Sequence, residues 1–502
     1  MKETKKNNRL FWTFVIAFLI IILIPFCFKD RYICENLKLK EAISCLSYSD
    51  LVNLTKQPIP NSPLYFKLQK QLNTPYIFNK TFLTMFSGRD KSRPYNFLRL
   101  AHWNIQRGFN VTAIKTILSN KYRYYNSYKN NLDSSTQSDL KKELEDISRS
   151  DIISLNEVDV GMPRTDYKNI ASEIAMALNY NYVFATEFIE LNSIIYKQRI
   201  NPARYLGLHG NAIISRYPIK SARIIRLPEY YKWYEAEIQK KSMLESVRRV
   251  GAKGAFSENI TKNEVRRGGR NALIADIELP NKEIITVVST HLEDRCFPDK
   301  RFQQFEYLLS NLRTLRRSVV LAGDFNTTTT DSAPASLKKE LVKRIRDPHY
   351  LTRQAVLAII PIGGIPGVVN LASFGLSKLI QYKDPTAPSI PIFLPNQEKK
   401  FFNYLKDFRF TDGEVFDISG DRSSNGKRGL LASSNERQLK GFESTFKFIE
   451  PRVIAYYKLD WFFVKPKGNR FKPFNGQTLQ LINHVYPGRV SDHEPIIVDL
   501  NL

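Results

Sequence analysis

Cysteine is scarce, with four in 502 residues, which excludes a disulfide-stapled scaffold. No cysteine–histidine cluster has zinc-ligand spacing and no G-x-x-x-x-G-K loop is present, so neither a zinc module nor a P-loop is expected. The sequence also lacks internal repeats and low-complexity tracts. Acidic residues are few beside basic ones: 49 Asp and Glu against 75 Lys and Arg, a formal net charge of +26. With 43% hydrophobic and 25% charged residues the chain is globular rather than disordered or multi-span. The charge excess concentrates anionic partners such as nucleic acid, phospholipid headgroups or phosphorylated metabolites, or it is only a solvated basic surface. At roughly 100–200 residues per domain, the length fits two or three domains or one large domain with insertions.

One apolar run stands apart. Residues 10–28, LFWTFVIAFLIIILIPFCF, are uncharged and long enough to span a hydrocarbon core. Lys2, Lys5, Lys6 and Arg9 precede them, and the bulky end of the run offers no small-x-small cleavage site. An uncleaved single-pass anchor is expected, occupying residues 1–31 with its cytosolic tail. Lys and Arg flank both sides without clear bias; a short cytosolic tail places the large domain on the extracytoplasmic side. Cys34 and Cys45 then either pair or remain two thiols, with Cys296 free. Residues 32–96, with prolines at 58, 60, 63, 75 and 94, read as a juxtamembrane stalk.

From Phe97 to the C-terminus the pattern is that of an α/β domain. LRLAHWNI, DIISLNEV, NYVFATEF, HGNAIISRY, NALIADIEL, EIITVVSTHL and SVVLAGDFN read as strands, rich in aliphatic and aromatic residues and bounded by turn formers. Residues 167–179 and 300–316 carry apolar residues at helical spacing. An insert, 331–450, interrupts this rhythm before KLDWFFVK and VSDHEPIIVDL resume it. Within the insert, 336–347 is a helix candidate. Residues 355–380 hold Lys378 as their only charge and are divided by a Pro-Gly cluster, so they form either two short helices dipping into a membrane or a hairpin on the protein's own surface.

The polar residues at the ends of these apolar runs carry the chemistry. Asn104, Glu157, His291, Asp324, Asn326, Asp460, Asp492 and His493 all stand in that relation to strands. Each alone is an ordinary turn or capping residue. Together, strand ends along one rim bring such groups into a single crevice. Carboxylate and amide oxygens are hard ligands suited to Mg²⁺, and a histidine held by an aspartate can donate to charge developing on phosphorus. The set suits hydrolysis of a phosphate ester.

The ordered motifs WNIQRG, SLNEVD, HGNAIISRYPI, STHLED, LAGDFNTT, LDWFFV and SDHEPI resemble those of the endonuclease/exonuclease/phosphatase superfamily from about Leu98 to the C-terminus. That resemblance implies a four-layer α/β sandwich of two mixed β-sheets flanked by helices. By position it implies Glu157 as the main metal ligand with Asn104 and Asp492 nearby, Asp324 activating the attacking water, and Asn326 beside the phosphate. His493 is implied as the phosphate-contacting histidine oriented by Asp460, His291 as a second histidine, and Asn211 as a phosphate contact. Arg164, in GMPRTD, either contacts a phosphate or lies in a surface turn. His102, His209 and His484 read as structural. The implied cofactor is Mg²⁺, with Mn²⁺ as an alternative. The implied activity is a membrane-anchored phosphodiester hydrolase acting on nucleic acid or a phospholipid headgroup. A phosphomonoesterase acting on inositol phosphates and a non-catalytic phosphate-binding adaptor are the alternatives.

Overall fold

The computed structural model of the chain describes residues 43–56, 62–80, 96–239, 264–327, 399–417, 445–449 and 453–502. The expected anchor at 10–28, Cys34, the helix candidate 336–347 and the apolar stretch 355–380 lie outside the described residues. Among the described residues no helix is long and apolar enough to cross a membrane.

In chain order the strands begin with β1 (Tyr76–Phe78), β2 (Phe97–Arg107), β3 (Ile152–Val160), β4 (Asn181–Glu190), β5 (Leu208–Ser215) and β6 (Ile219–Arg226). Next come β7 (Arg266–Gly268), β8 (Asn271–Glu278), β9 (Ile284–His291) and β10 (Val319–Asp324). The last are β11 (Phe446–Ile449), β12 (Val453–Tyr457), β13 (Asp460–Lys465), β14 (Pro473–Thr478) and β15 (Ile496–Asn501). One sheet has eight strands in the order β1-β4-β5-β3-β2-β15-β14, with β7 also paired to β4. A second has five, β13-β10-β9-β8-β6, beside a two-stranded β11-β12 ribbon. Both are mixed: β2 runs parallel to β3 and β9 parallel to β10, while their other pairings are antiparallel.

Three apolar layers separate four layers of structure. Ile114, Leu140 and Ile174, from helices Val111–Ser119, Ser134–Ser148 and Ile170–Leu178, pack on Trp103, Leu155 and Tyr182 of the large sheet. Between the sheets, Leu100, Ile152 and Ile213 meet Leu273, Val287 and Val320. Outside the small sheet, helices Pro298–Leu312 and Lys399–Asp407 press Phe305, Leu308, Phe401 and Leu405 onto Val288, Leu321 and Phe463. Strand β10 shows why its sequence is apolar without alternation: Val319 and Leu321 face one layer, Val320 and Ala322 the other.

The segment expected as a stalk is in part structural. Tyr48–Leu54 and Pro63–Asn73 are helices whose Leu51, Leu54, Leu68 and Leu72 join the layer outside the large sheet, and β1 pairs with β4. The packed body therefore starts before residue 97. A capping box at Ser47 and Asp50 starts the first helix, and Pro63 supplies the first turn of the second. Likewise, residues 399–417 of the expected insert complete the core of the small sheet through Phe401, Phe408 and Phe416. The helix expected at 167–179 begins at Ile170, because the Asn169 side chain caps the Ser172 N–H.

Candidate active site

In the small sheet, Asp324 lies in register with His291 on one neighbouring strand and with Asp460 on the other. Three ionisable side chains thus stand in one row at one rim. Gly323 makes this row possible, since a Cβ there would come within 2.0 Å of the Thr290 carbonyl oxygen. In the large sheet, Asn104 faces Asn156 in register, and beyond that pair the ladders slip, between Asn104 and Arg107 and between Leu155 and Val158. Here the backbone turns left-handed at Gln106 (φ +46°), Arg107 (+66°) and Glu157 (+54°), as it does at Asn326 (+50°) after β10. Such irregularities re-aim side chains, and strain of this kind gathers at functional sites.

The two rims meet at Asp324. Asn104 Nδ2 donates to Asp324 Oδ2 at 3.1 Å and to Glu157 Oε1 at 3.3 Å. Asn156 Oδ1 accepts the Asp324 backbone N–H at 2.8 Å, and the Asn326 N–H donates to Asp324 Oδ1 at 2.9 Å. His291 Nε2 and His493 Nε2 lie 3.4 and 3.6 Å from Asp324 Oδ2. Asp460 accepts from His493 Nδ1 at 2.7 Å through one oxygen and contacts His102 Nε2 at 3.0 Å through the other. A cleft lined by Glu157, His291, Asp324, Asn326, Asp492 and His493 opens over this row.

The electrostatics divide these groups into distinct states. Burial, reinforced by Asp460, lifts Asp324 to about 7. Burial and the nearby Glu157 charge lift Asp492 to about 6. Burial opposes the His493 cation, but Asp460 and Asp324 outweigh it and hold its pKa well above the ordinary histidine value. His291 goes the opposite way, pushed well below by burial and by Arg270. The Arg270 Nη1 lies 2.8 Å from His291 Nδ1. A guanidinium can only donate, so Nδ1 accepts and the single imidazole proton sits on Nε2, toward Asp324. One cleft therefore holds a charged and a neutral histidine on either side of a proton-accepting carboxylate.

Not every expected residue reaches the cleft. Arg164 donates to both oxygens of Asp159 (2.6 and 2.8 Å) and to both of Glu190 (2.5 and 3.0 Å), so its donors are consumed in an internal network. Asn211 is fully buried, donating to Glu187 and Asn271 and accepting from Asn156 at 2.7 Å. It braces Asn156 beneath the site and is not among the lining residues. Asn326 lines the cleft, but its Nδ2 is committed to the Leu292 carbonyl at 3.0 Å. His209 and His484, expected as structural, pair with Asp159 at 2.8 Å and with Glu494, and His209 also lines the cleft. Sequence reasoning missed Asn156, Arg270 and the arginines Arg107, Arg266 and Arg295 that line the same cleft. The run RRGGR at 266–270 was the available signal for two of them.

Two donor sets could hold a cation. Asp324, Asp460 and His493 present atoms within 4.8 Å of one another. Both oxygens of Asp460 are already engaged by imidazoles, however, which leaves little for a metal. Asn104, expected as a ligand, turns its Nδ2 to Glu157 while its Oδ1 accepts the Gln106 N–H at 3.1 Å, so Glu157 and Asp492 form the better set. They are hard oxygen donors, and the Glu157 charge pushes the Asp492 proton affinity up, a repulsion that a cation between them would relieve.

The sequence profile described as "Endonuclease/Exonuclease/phosphatase family" matches residues 101–493. Among solved structures, a 3′-5′ exonuclease from Neisseria meningitidis is similar at 12% identity, covering 81% of this chain and 100% of its own, with a TM-score of 0.40. An AP endonuclease from Archaeoglobus fulgidus is similar at 13% identity over 80% and 98%, with a TM-score of 0.36. The human Nocturnin catalytic domain with bound sulfate is similar at 13% identity over 80% and 93%, with a TM-score of 0.35. No curated protein matches the chain.

Proposed function

Because the chain belongs to the endonuclease/exonuclease/phosphatase family, whose members hydrolyse phosphoester bonds with a divalent metal, we propose that it hydrolyses phosphodiesters by in-line attack of water. The observation that carries this reading is Asp324 placed between neutral His291 and cationic His493. Asp324, lifted to about 7, is poised to take a proton from water near neutral pH. Asn104, His291 and Asn326 fix the direction of its oxygens. His493, held charged by Asp460, donates toward a phosphate oxygen as negative charge builds there. Glu157 and Asp492 would hold the cation, for which Mg²⁺ is the best fit. Such an ion neutralises a non-bridging phosphate oxygen and stabilises the leaving one.

The substrate is proposed to be nucleic acid or a phospholipid headgroup. The net charge of +26 supports a polyanion, and the apolar run 10–28 supports an anchored enzyme with its catalytic domain on the extracytoplasmic side. The test is a hydrolysis screen of the full chain in detergent against DNA, RNA, sphingomyelin and inositol phosphates, with Mg²⁺ and with chelator. Cleavage of one diester class, abolished by chelation, is expected. Activity confined to monoesters would overturn the diester reading.

A further inference from the structure

The sequence VRRGGR, residues 265–270, runs past the edge of the large sheet and into the cleft wall. Strand β7 pairs with the end of β4, and Gly268 at φ +110° lets the backbone approach so closely that a Cβ would fall 2.3 Å from the Glu187 carbonyl oxygen. This approach brings Arg266 and Arg270 to the same cleft as Arg107 and Arg295. Two neighbouring arginines have several acceptors each. Arg164 is bound at both ends by Asp159 and Glu190, and Arg270 by Glu187, His291 and Asp294.

Arg107 and Arg266 differ. They share a single carboxylate, Glu264. The next acid near Arg107, Glu190, is 3.8 Å away and already bound by Arg164. Arg266 is 4% exposed, and its Nε, like that of the adjacent Arg270, is buried with no acceptor among the described residues. Its flat face is taken by aromatic rings, with Trp233 at 3.9 Å and Phe188 at 4.5 Å, which leaves the donor edge to be satisfied. Arg295 lies over the same Trp233 ring at 5.7 Å. Burial, with Arg107 and Arg270 adjacent, pulls Arg266 down to about 10.

We propose that Arg107, Arg266 and Arg295, beside Trp233, form a subsite for a second phosphate of the substrate, adjacent to the phosphate that is cleaved. Phosphate oxygens match the bidentate edge of a guanidinium, and in this cleft Arg295 has Asp294 beside it at 3.5 Å while Arg107 and Arg266 share Glu264. The subsite rests on the hydrolase reading and narrows it: the substrate is a diester with a neighbouring phosphate, as in an oligonucleotide, rather than an isolated diester.

The test compares three substrates on the full chain with Mg²⁺: dTpdT, pdTpdT and dTpdTp, which differ only in a terminal phosphate. Wild type should prefer one doubly charged form by about tenfold in kcat/KM, expressed mainly in KM. In R266Q, and separately in R107Q, that preference should shrink to within about twofold. Equal efficiency on all three in wild type overturns the subsite and leaves the hydrolase reading intact. Binding without turnover gives a second reading that needs no variant. Thymidine 3′,5′-bisphosphate should bind wild type several-fold tighter than thymidine 5′-phosphate, and equal affinity overturns the subsite even if no substrate is cleaved. Failure to cleave any diester, with that binding difference present, would instead count against the hydrolase reading alone.

Discussion

The two ends of β2 treat arginine in opposite ways. At its start, Arg99 donates to both oxygens of Asp499, at 2.6 and 2.7 Å, and to Asp146 at 2.8 Å. At its end, Arg107 shares one carboxylate with Arg266 where the backbone turns left-handed. The carboxylates differ in the same sense. Asp499 is saturated by Arg99 and Asn475, whereas burial, with Asp460 beside one and Glu157 beside the other, pushes Asp324 and Asp492 toward holding protons. Matched charges close one rim of the sandwich, and mismatched ones mark the rim that awaits a ligand. Stability and reactivity are in this way placed at opposite ends of the same strand.

The sharpest way to test that division is at Asp324. Asp324→Ala should lower kcat by about 10³-fold or more, because water loses its proton acceptor, while the melting temperature stays level or rises. Asp460→Asn should follow, with a loss of about 10²–10⁴-fold measured in the same assay, since His493 then loses the anion that keeps it charged. The saturated rim should respond in the reverse manner. Arg99→Met should cost about 3–5 kcal/mol in denaturant unfolding, by stranding Asp499, while kcat per folded molecule is kept.

The smallest effect is a dependence on pH. Asp324 (about 7) and Asp492 (about 6) both lie above the roughly 4 of an unfolded aspartate. Without metal, these two groups destabilise the fold as pH rises from about 4 through 7. Mg²⁺ should offset this, since its ligands must be ionised. Saturating Mg²⁺, at about 100 times its Kd, should add up to ~2.7 kcal/mol at pH 8 and much less at pH 5, read by thermal melts. An equal gain at both pH values would separate metal binding from these carboxylates.

Much of the reactive rim is legible in the sequence because it depends on local rules. An apolar run that stops at an acid or imidazole places that group at a strand end, and this holds for His291 and Asp324, while Asp460 opens its strand and Asn104 lies inside β2 just before its ladder slips. The errors arise where partners are distant. Arg164 reads as a free cation until Glu190 is folded beside it, and Asn211 as a ligand contact until Glu187 and Asn271 enclose its amide. The bulge that turns Glu157 has no glycine to announce it, whereas Gly108 follows Arg107 directly. Prolines at 58, 60 and 63 suggested a stalk, although Pro63 is the start of a packed helix.

The account stands most directly on hydrolysis of bis(4-nitrophenyl) phosphate by the full chain. The prediction is Mg²⁺-dependent release of 4-nitrophenol, abolished by chelator and reduced about 10³-fold in Asp324→Ala. Release at the same rate in wild type and Asp324→Ala, or undiminished by chelator, would contradict it.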